Sequence, residues 1–452
     1  MTANIWQQAE EMAEQTPESR NRYVDFLRAA SIMVVVFGHW LMAAPVITAT
    51  GLEPNHLLTR TTWTHYLTWA LQVMPIFFFV GGFANAASWR ASSRSGSTYG
   101  AWLRARLRRL ILPVLPLLMV WTAGAYALLQ SGFDPELLKI ASQAALVPVW
   151  FLATYVAVVA FTPLTLRAWD RWGWTSVVVT GVIAGLVDLV SLTQGGGPGA
   201  QPPGFGFAWV GYLNYLFVWG TVHSLGYAWA DSRLGSVSHR LTWSGVGLVT
   251  TVALVAFGPY PVAMVGLDTQ GVTNSQPPKV TLLTLALFQA GALLAMEGPA
   301  RRMLSKTRNW AATILINGRI MTLYLWHLTA MVALVGGSLL LNGWGLRTDT
   351  NTAAWWLTRP LWMAALVSAT LPFLLVFGRY ERPNKDLRPP PPAWRPLLAV
   401  VATCAGLGLL AKYGIADEDG LNGIALSLPF AAAIAGGIGG ARMWQRRRRA
   451  AA

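Results

Sequence analysis

The chain has 452 residues, of which 54% are hydrophobic and only 12% charged, where a soluble domain carries roughly 25% charge. Its apolar residues run uninterrupted over lengths set by bilayer thickness, which excludes a soluble globular enzyme and predicts an all-α polytopic transmembrane helix bundle. The net charge of +15 lies in short segments between the runs, a pattern of membrane topology that points to a lipid bilayer and away from nucleic acid.

Taken in chain order, residues 1–24 carry Glu10, Glu11, Glu14 and Glu18 and no apolar core, so they are read as an N-terminal segment and not as a cleavable signal. Twelve spans are expected, at 26–47, 66–87, 110–130, 147–166, 174–193, 208–230, 241–258, 279–297, 313–340, 355–378, 396–412 and 421–441. The first ten make a body over 25–380. A proline-rich linker at 381–395 follows, with Pro389 to Pro392 unable to continue a helix. Two accessory helices (396–441) and a basic tail (442–452) complete the chain. Arginines gather in alternate inter-span segments, so both termini are expected in the cytoplasm of a plasma-membrane protein.

Polar groups inside the bilayer are costly and tend to be functional. In the first span, Arg28 and His39 are three helical turns plus about 20° apart, on one face and ~16 Å apart along the axis. Asp25 falls on nearly the same stripe and can pair with Arg28. A snorkelling arginine and a packing histidine are the bland alternative, but an intramembrane histidine needs a partner or a purpose. The third span is preceded by Arg104, Arg106, Arg108 and Arg109, whose planar guanidinium groups suit an anionic ligand's phosphates. Plain inside topology or anionic-lipid contact explains them as readily. The ninth span holds Arg319 and then Tyr324-Leu325-Trp326-His327, either a site or a structural polar cluster. His56, His65 and His239 fall in loops or at interfaces, with no specific role expected, and His223 lies within the sixth span. The histidines lack ligand spacing, and the one cysteine, Cys404, lies in an apolar run, so no metal is expected.

These residues together resemble the acyltransferase-3 family of membrane O-acyltransferases. The Arg28 to His39 spacing is similar to that family's first-helix signature. Ile76-Phe77-Phe78-Phe79-Val80-Gly81-Gly82-Phe83 resembles its phenylalanine-rich second-helix motif, and Arg106 and Arg109 before Pro113 its paired-arginine motif. Trp150-Phe151-Leu152 and Tyr324-Leu325-Trp326-His327 resemble two later motifs. Gly81 stands where members usually have serine, Pro113 comes one residue later than usual, and the last two helices extend beyond the ten-helix core. The resemblance implies acyl transfer from cytoplasmic acyl-CoA to a hydroxyl of a glycan, lipid or small metabolite, as in O-acetylation of cell-envelope carbohydrate. His39 would be the general base or, alternatively, a nucleophile. Arg28, Arg106 and Arg109 would hold the CoA phosphates. Tyr324, Trp326, His327, Arg319 and Trp150 would contact the substrate. A reading from another class, a transporter or flippase using intramembrane Arg and His, fits the helix count but lacks a visible internal repeat.

Overall fold

The structure, a computed structural model, describes residues 5–18, 20–48, 51–193, 207–266, 271–381 and 389–438. It is all-helical apart from two tiny sheets. In chain order the helices are α1 (Ile5–Glu14), α2 (Arg22–Met42), α3 (Leu57–Arg60), α4 (Thr68–Leu71), α5 (Met74–Arg94), α6 (Tyr99–Ile111) and α7 (Val114–Gln130). They continue with α8 (Pro135–Trp172), α9 (Trp174–Thr193), α10 (Asn214–Ala230), α11 (Val237–Phe257), α12 (Val280–Ala295), α13 (Glu297–Leu304) and α14 (Thr307–Asn317). The last are α15 (Ile320–Leu340), α16 (Ala353–Phe377), α17 (Trp394–Tyr413) and α18 (Gly423–Ala435). Strand β1 (Val46–Thr48) pairs with β2 (Gly51–Glu53), and β3 (Ala416–Asp417) pairs antiparallel with β4 (Gly420–Leu421).

Each of the twelve expected spans contains a helix. Eight helices among the described residues are long and apolar enough to cross a bilayer, and up to ten when two bent pairs each count as one span. Those pairs are α6 with α7, bent by 41°, and α12 with α13, bent by 53°. The first bend falls at Leu112–Pro113, where proline has no N–H to give to the helical ladder. The two remaining spans, α10 with 17 residues and α18 with 13, fall short of the ordinary spanning length. Two expectations are corrected. Span one ends at Met42 rather than 47, because residues 46–48 are extended in β1. Arg319 is not inside a continuous span: the chain breaks between α14 and α15, and Arg319 is the N-cap residue of α15.

Two compact units make up the chain, and it passes from one to the other within α5 and within α8. Unit 1 comprises Met1–Pro45, Glu53–Ser88 and Phe161–Asn317. Helices in lipid associate through close packing, for which glycines open the way. Here α5 crosses α10 at Gly82 and Gly226, whose Cα atoms leave no room for a side chain. Phe79 stacks on Trp229 and Phe78 on Trp219 beside this crossing. Gly247 and Gly291 serve the contact of α11 with α12 in the same way. Lys279, at the start of α12, forms a fully buried ion pair with Asp188 of α9 (2.9 Å, each side chain 1% exposed). The acidic N-terminal segment proves structured: α1 lays Ala9 and Ala13 on Trp310 and Ala311 of α14, and the Trp310 indole donates to Thr16 Oγ1 (2.8 Å).

Unit 2 comprises Val46–Leu52, Trp89–Ala160 and Gly318–Ala452. Its α15 and α16 pack side by side, with Trp326 stacked on both Phe373 and Phe377 (4.8 and 4.0 Å). The described part of the proline linker lies against α6, where the Arg104 guanidinium donates to Pro389 O (2.9 Å). Accessory helices α17 and α18 form a hairpin packed on α6 and α7. Arg382, Lys385, Arg388 and the whole basic tail lie outside the described residues.

Candidate active site

The expected site residues divide between the two units. In unit 1, Asn21 Oδ1 accepts from the backbone N–H groups of Tyr23 and Val24 and so starts α2 cleanly. One turn on, the buried Asp25 carboxylate holds two guanidinium groups, Arg20 Nε at 2.7 Å and Arg28 Nη1 at 3.5 Å. Asn317 Nδ2 fixes the same turn by donating to Asp25 O (2.9 Å). Arg28 therefore sits as a positioned, partly exposed cation at the N-terminal end of α2.

His39 lies half-buried in the last turn of that helix, and its carbonyl accepts from Ala43 N–H (2.9 Å). The chain then returns: Ala44 N–H donates to Asn55 O (2.9 Å), and Ala43 stands opposite His56 in an isolated antiparallel bridge. Leu57 and Leu58, both buried, anchor the returning segment. His56 is thereby brought within electrostatic reach of His39. Burial holds the His56 imidazole below the ordinary histidine range, so it is neutral near pH 7. Two polar atoms here are shielded from solvent without a hydrogen-bond partner among the described residues: Asn55 Nδ2 and His56 Nδ1. Sequence reasoning placed His56 in a loop and passed over it. The available signal was the turn chemistry of Gly51 (φ +123°) and Pro54, which mark a chain doubling back toward the end of α2.

His223, within the sixth expected span, is committed on both ring nitrogens. Nε2 meets Asn85 Nδ2 (3.2 Å) and Nδ1 meets the Tyr227 hydroxyl (3.0 Å), which in turn bonds Thr165 Oγ1 (2.7 Å). This fully bonded chain ties α5, α10 and α8 together inside unit 1.

In unit 2 the basic stretch lies on α6. Arg104 is buried and committed to Pro389, whereas Arg106 is half-buried beside the Trp102 ring (5.8 Å) and Arg109 is exposed. The Trp-Phe-Leu and Tyr-Leu-Trp-His segments come together. Phe151, next to Trp150, meets the Tyr324 ring edge-on (5.7 Å), and the Tyr324 hydroxyl donates to Pro148 O (2.8 Å). His327 is fully buried one turn further, with Nδ1 on Tyr324 O (2.7 Å). Trp326, stacked between phenylalanines, is core. Arg319 packs its stem over Gly378, next to Glu381. The Glu381 carboxylate accepts from Met321 N–H (3.0 Å), Thr322 N–H (2.5 Å) and Thr322 Oγ1 (2.5 Å) at the start of α15. Among the described residues no three His, Cys, Asp or Glu side chains converge where a metal could be held.

A family model described as an acyltransferase domain (Acyl_transf_3) matches residues 21–379, the stretch from α2 to α16. No curated protein and no solved structure matches the chain. The match separates the two functional classes left open by the helix count, and it falls on the enzyme.

Proposed function

The chain belongs to the acyltransferase-3 family and is a membrane-embedded acyltransferase, and from that premise we propose that it transfers an acyl group from acyl-CoA to a hydroxyl of a glycan, lipid or small metabolite. The reading is carried by one observation: the family match begins at the first span, where α2 holds both Arg28 and His39. His39 is the general base. It takes the acceptor's O–H proton as that oxygen attacks the thioester carbonyl carbon, and a C–O bond forms. Collapse of the tetrahedral intermediate breaks the C–S bond, and the departing thiolate recovers the proton from the imidazolium. Protons and electrons balance without a further reactant. Arg28, held by Asp25, binds CoA phosphate in unit 1, and the paired-motif arginines Arg106 and Arg109 are the phosphate-binding candidates of unit 2. Trp150 and His327 contact the acceptor, while Tyr324, Trp326 and Arg319 hold the helices that carry them. The protein resides in the plasma membrane with both termini in the cytoplasm, where acyl-CoA is available.

The test is CoA release from acetyl-, succinyl- and longer acyl-CoA by detergent-purified full-length protein, wild type beside His39→Ala. Loss of a general base is expected to slow turnover by about 10²- to 10⁴-fold while the variant still inserts and purifies. Full activity in His39→Ala would remove His39 from the chemistry.

A further inference from the structure

We propose that His56, with Asn55 beside it, completes the His39 site by binding the acceptor hydroxyl. The inference rests on the reading of His39 as the base but stands on its own geometry. The backbone pairing of Ala43–Ala44 with Asn55–His56 fixes the returning segment against the last turn of α2, one turn beyond His39. Two half-buried side chains on this short stretch, Asn55 and His56, each keep a solvent-shielded nitrogen with no hydrogen-bond partner among the described residues. A shielded polar nitrogen left unpaired costs free energy, so two together on an anchored segment point to a polar ligand that satisfies them. Other buried polar atoms of unit 1 also lack a partner among the described residues, Trp219 Nε1 and Asn317 Oδ1 among them, but Asn55 and His56 are adjacent in the chain.

The chemistry selects the ligand. A hydroxyl giving its proton to His39 retains oxygen lone pairs that can accept hydrogen bonds. A neutral imidazole N–H and a carboxamide N–H are donors of the right kind and carry no charge that would compete for the proton. Arg28 lies ~16 Å away along α2 and is a phosphate-binding group. The Asn55–His56 end of the helix is therefore the acceptor end, and the Arg28 end is the donor end. His56 moves no proton in this scheme. It binds and orients.

The experiment measures CoA release from acetyl-CoA by the full-length protein, with glycerol titrated as the hydroxyl-bearing probe. His56→Phe keeps the ring's bulk and removes its nitrogens. The expected result is an apparent glycerol KM raised by up to about tenfold with acetyl-CoA KM unchanged, the scale of one lost hydrogen bond. His56→Asn, whose Nδ2 lies near the position of the imidazole Nδ1, is expected to recover most of the loss. An unaltered glycerol KM in His56→Phe, beside an inactive His39→Ala, overturns the His56 assignment alone. So does a loss of thermal stability that moves both KM values together and is not rescued by asparagine. A fully active His39→Ala, or a wild type that releases no CoA, removes the underlying reading and the His56 assignment with it.

Discussion

Replacing Gly82 by alanine adds one methyl group where none fits. Built on the backbone, the new Cβ would stand 1.8 Å from His223 O and 2.8 Å from His223 C. A carbon and a carbonyl oxygen in contact need roughly 3.3 Å, so α10 would have to retreat by about 1.5 Å. A gap of 0.5–1 Å already forfeits about a quarter to a half of a dispersion contact. The retreat would therefore loosen Phe79 on Trp229 and Phe78 on Trp219, and stretch the Asn85–His223 bond. The obstacle is helix backbone and not a side chain that can turn away, so the cost is set at about 3 kcal/mol, the upper end for overpacking. Gly245→Ala in α11 is the control: its Cβ would meet nothing within 4 Å, and its effect stays within about 1 kcal/mol. The assay heats purified protein in detergent and follows the monodisperse fraction by size exclusion, since membrane-protein unfolding is commonly irreversible. Equal midpoints for Gly82→Ala and wild type would refute the crossing and leave the second-helix motif without its packing explanation.

Asp188→Ala leaves the Lys279 ammonium buried and unpaired, for an expected loss of about 3–5 kcal/mol, while the double change Asp188→Leu with Lys279→Met recovers most of it; midpoints from the same heating assay that fall together for single and double variants would count against this. Glu381→Ala removes the acceptor for Met321 and Thr322 at the start of α15, costing about 2 kcal/mol, to be read as faster amide exchange in that first turn. Trp310→Ala frees α1 from α14, so limited proteolysis is expected to clip the first twenty or so residues at a protease dose that leaves wild type intact.

The spans were legible because the signal is local: an apolar run long enough for a bilayer is visible without knowing its neighbours. Pro113 entered only as part of a motif inside the span expected at 110–130, and the bend it causes is a finding of the structure. Docking was not legible in the same way. That α1 would settle on α14 depends on Trp310, far along the chain, meeting Ala9, Ala13 and Thr16. The Gly81-Gly82 pair read as part of a family motif, yet the reason for Gly82 lies in the His223 carbonyl, on a different helix. Arg319 looked intramembrane because the run around it is apolar. Only the break before α15, with Glu381 as a cap, shows that it sits between helices.

Charge and spacing also cannot say which cation packing takes up. Arg104, Arg106 and Arg109 are equivalent in sequence, but burial and the bond to Pro389 commit Arg104 to holding the linker. The opposite holds at the end of α2. A helical-face argument can pair Arg28 with His39, because both lie on one helix, but it is blind to a residue that arrives by a turn. Asn55 and His56 arrive that way, and their unsatisfied nitrogens exist only once the return is made. Packing thus subtracts one candidate that sequence offered and adds two that it did not.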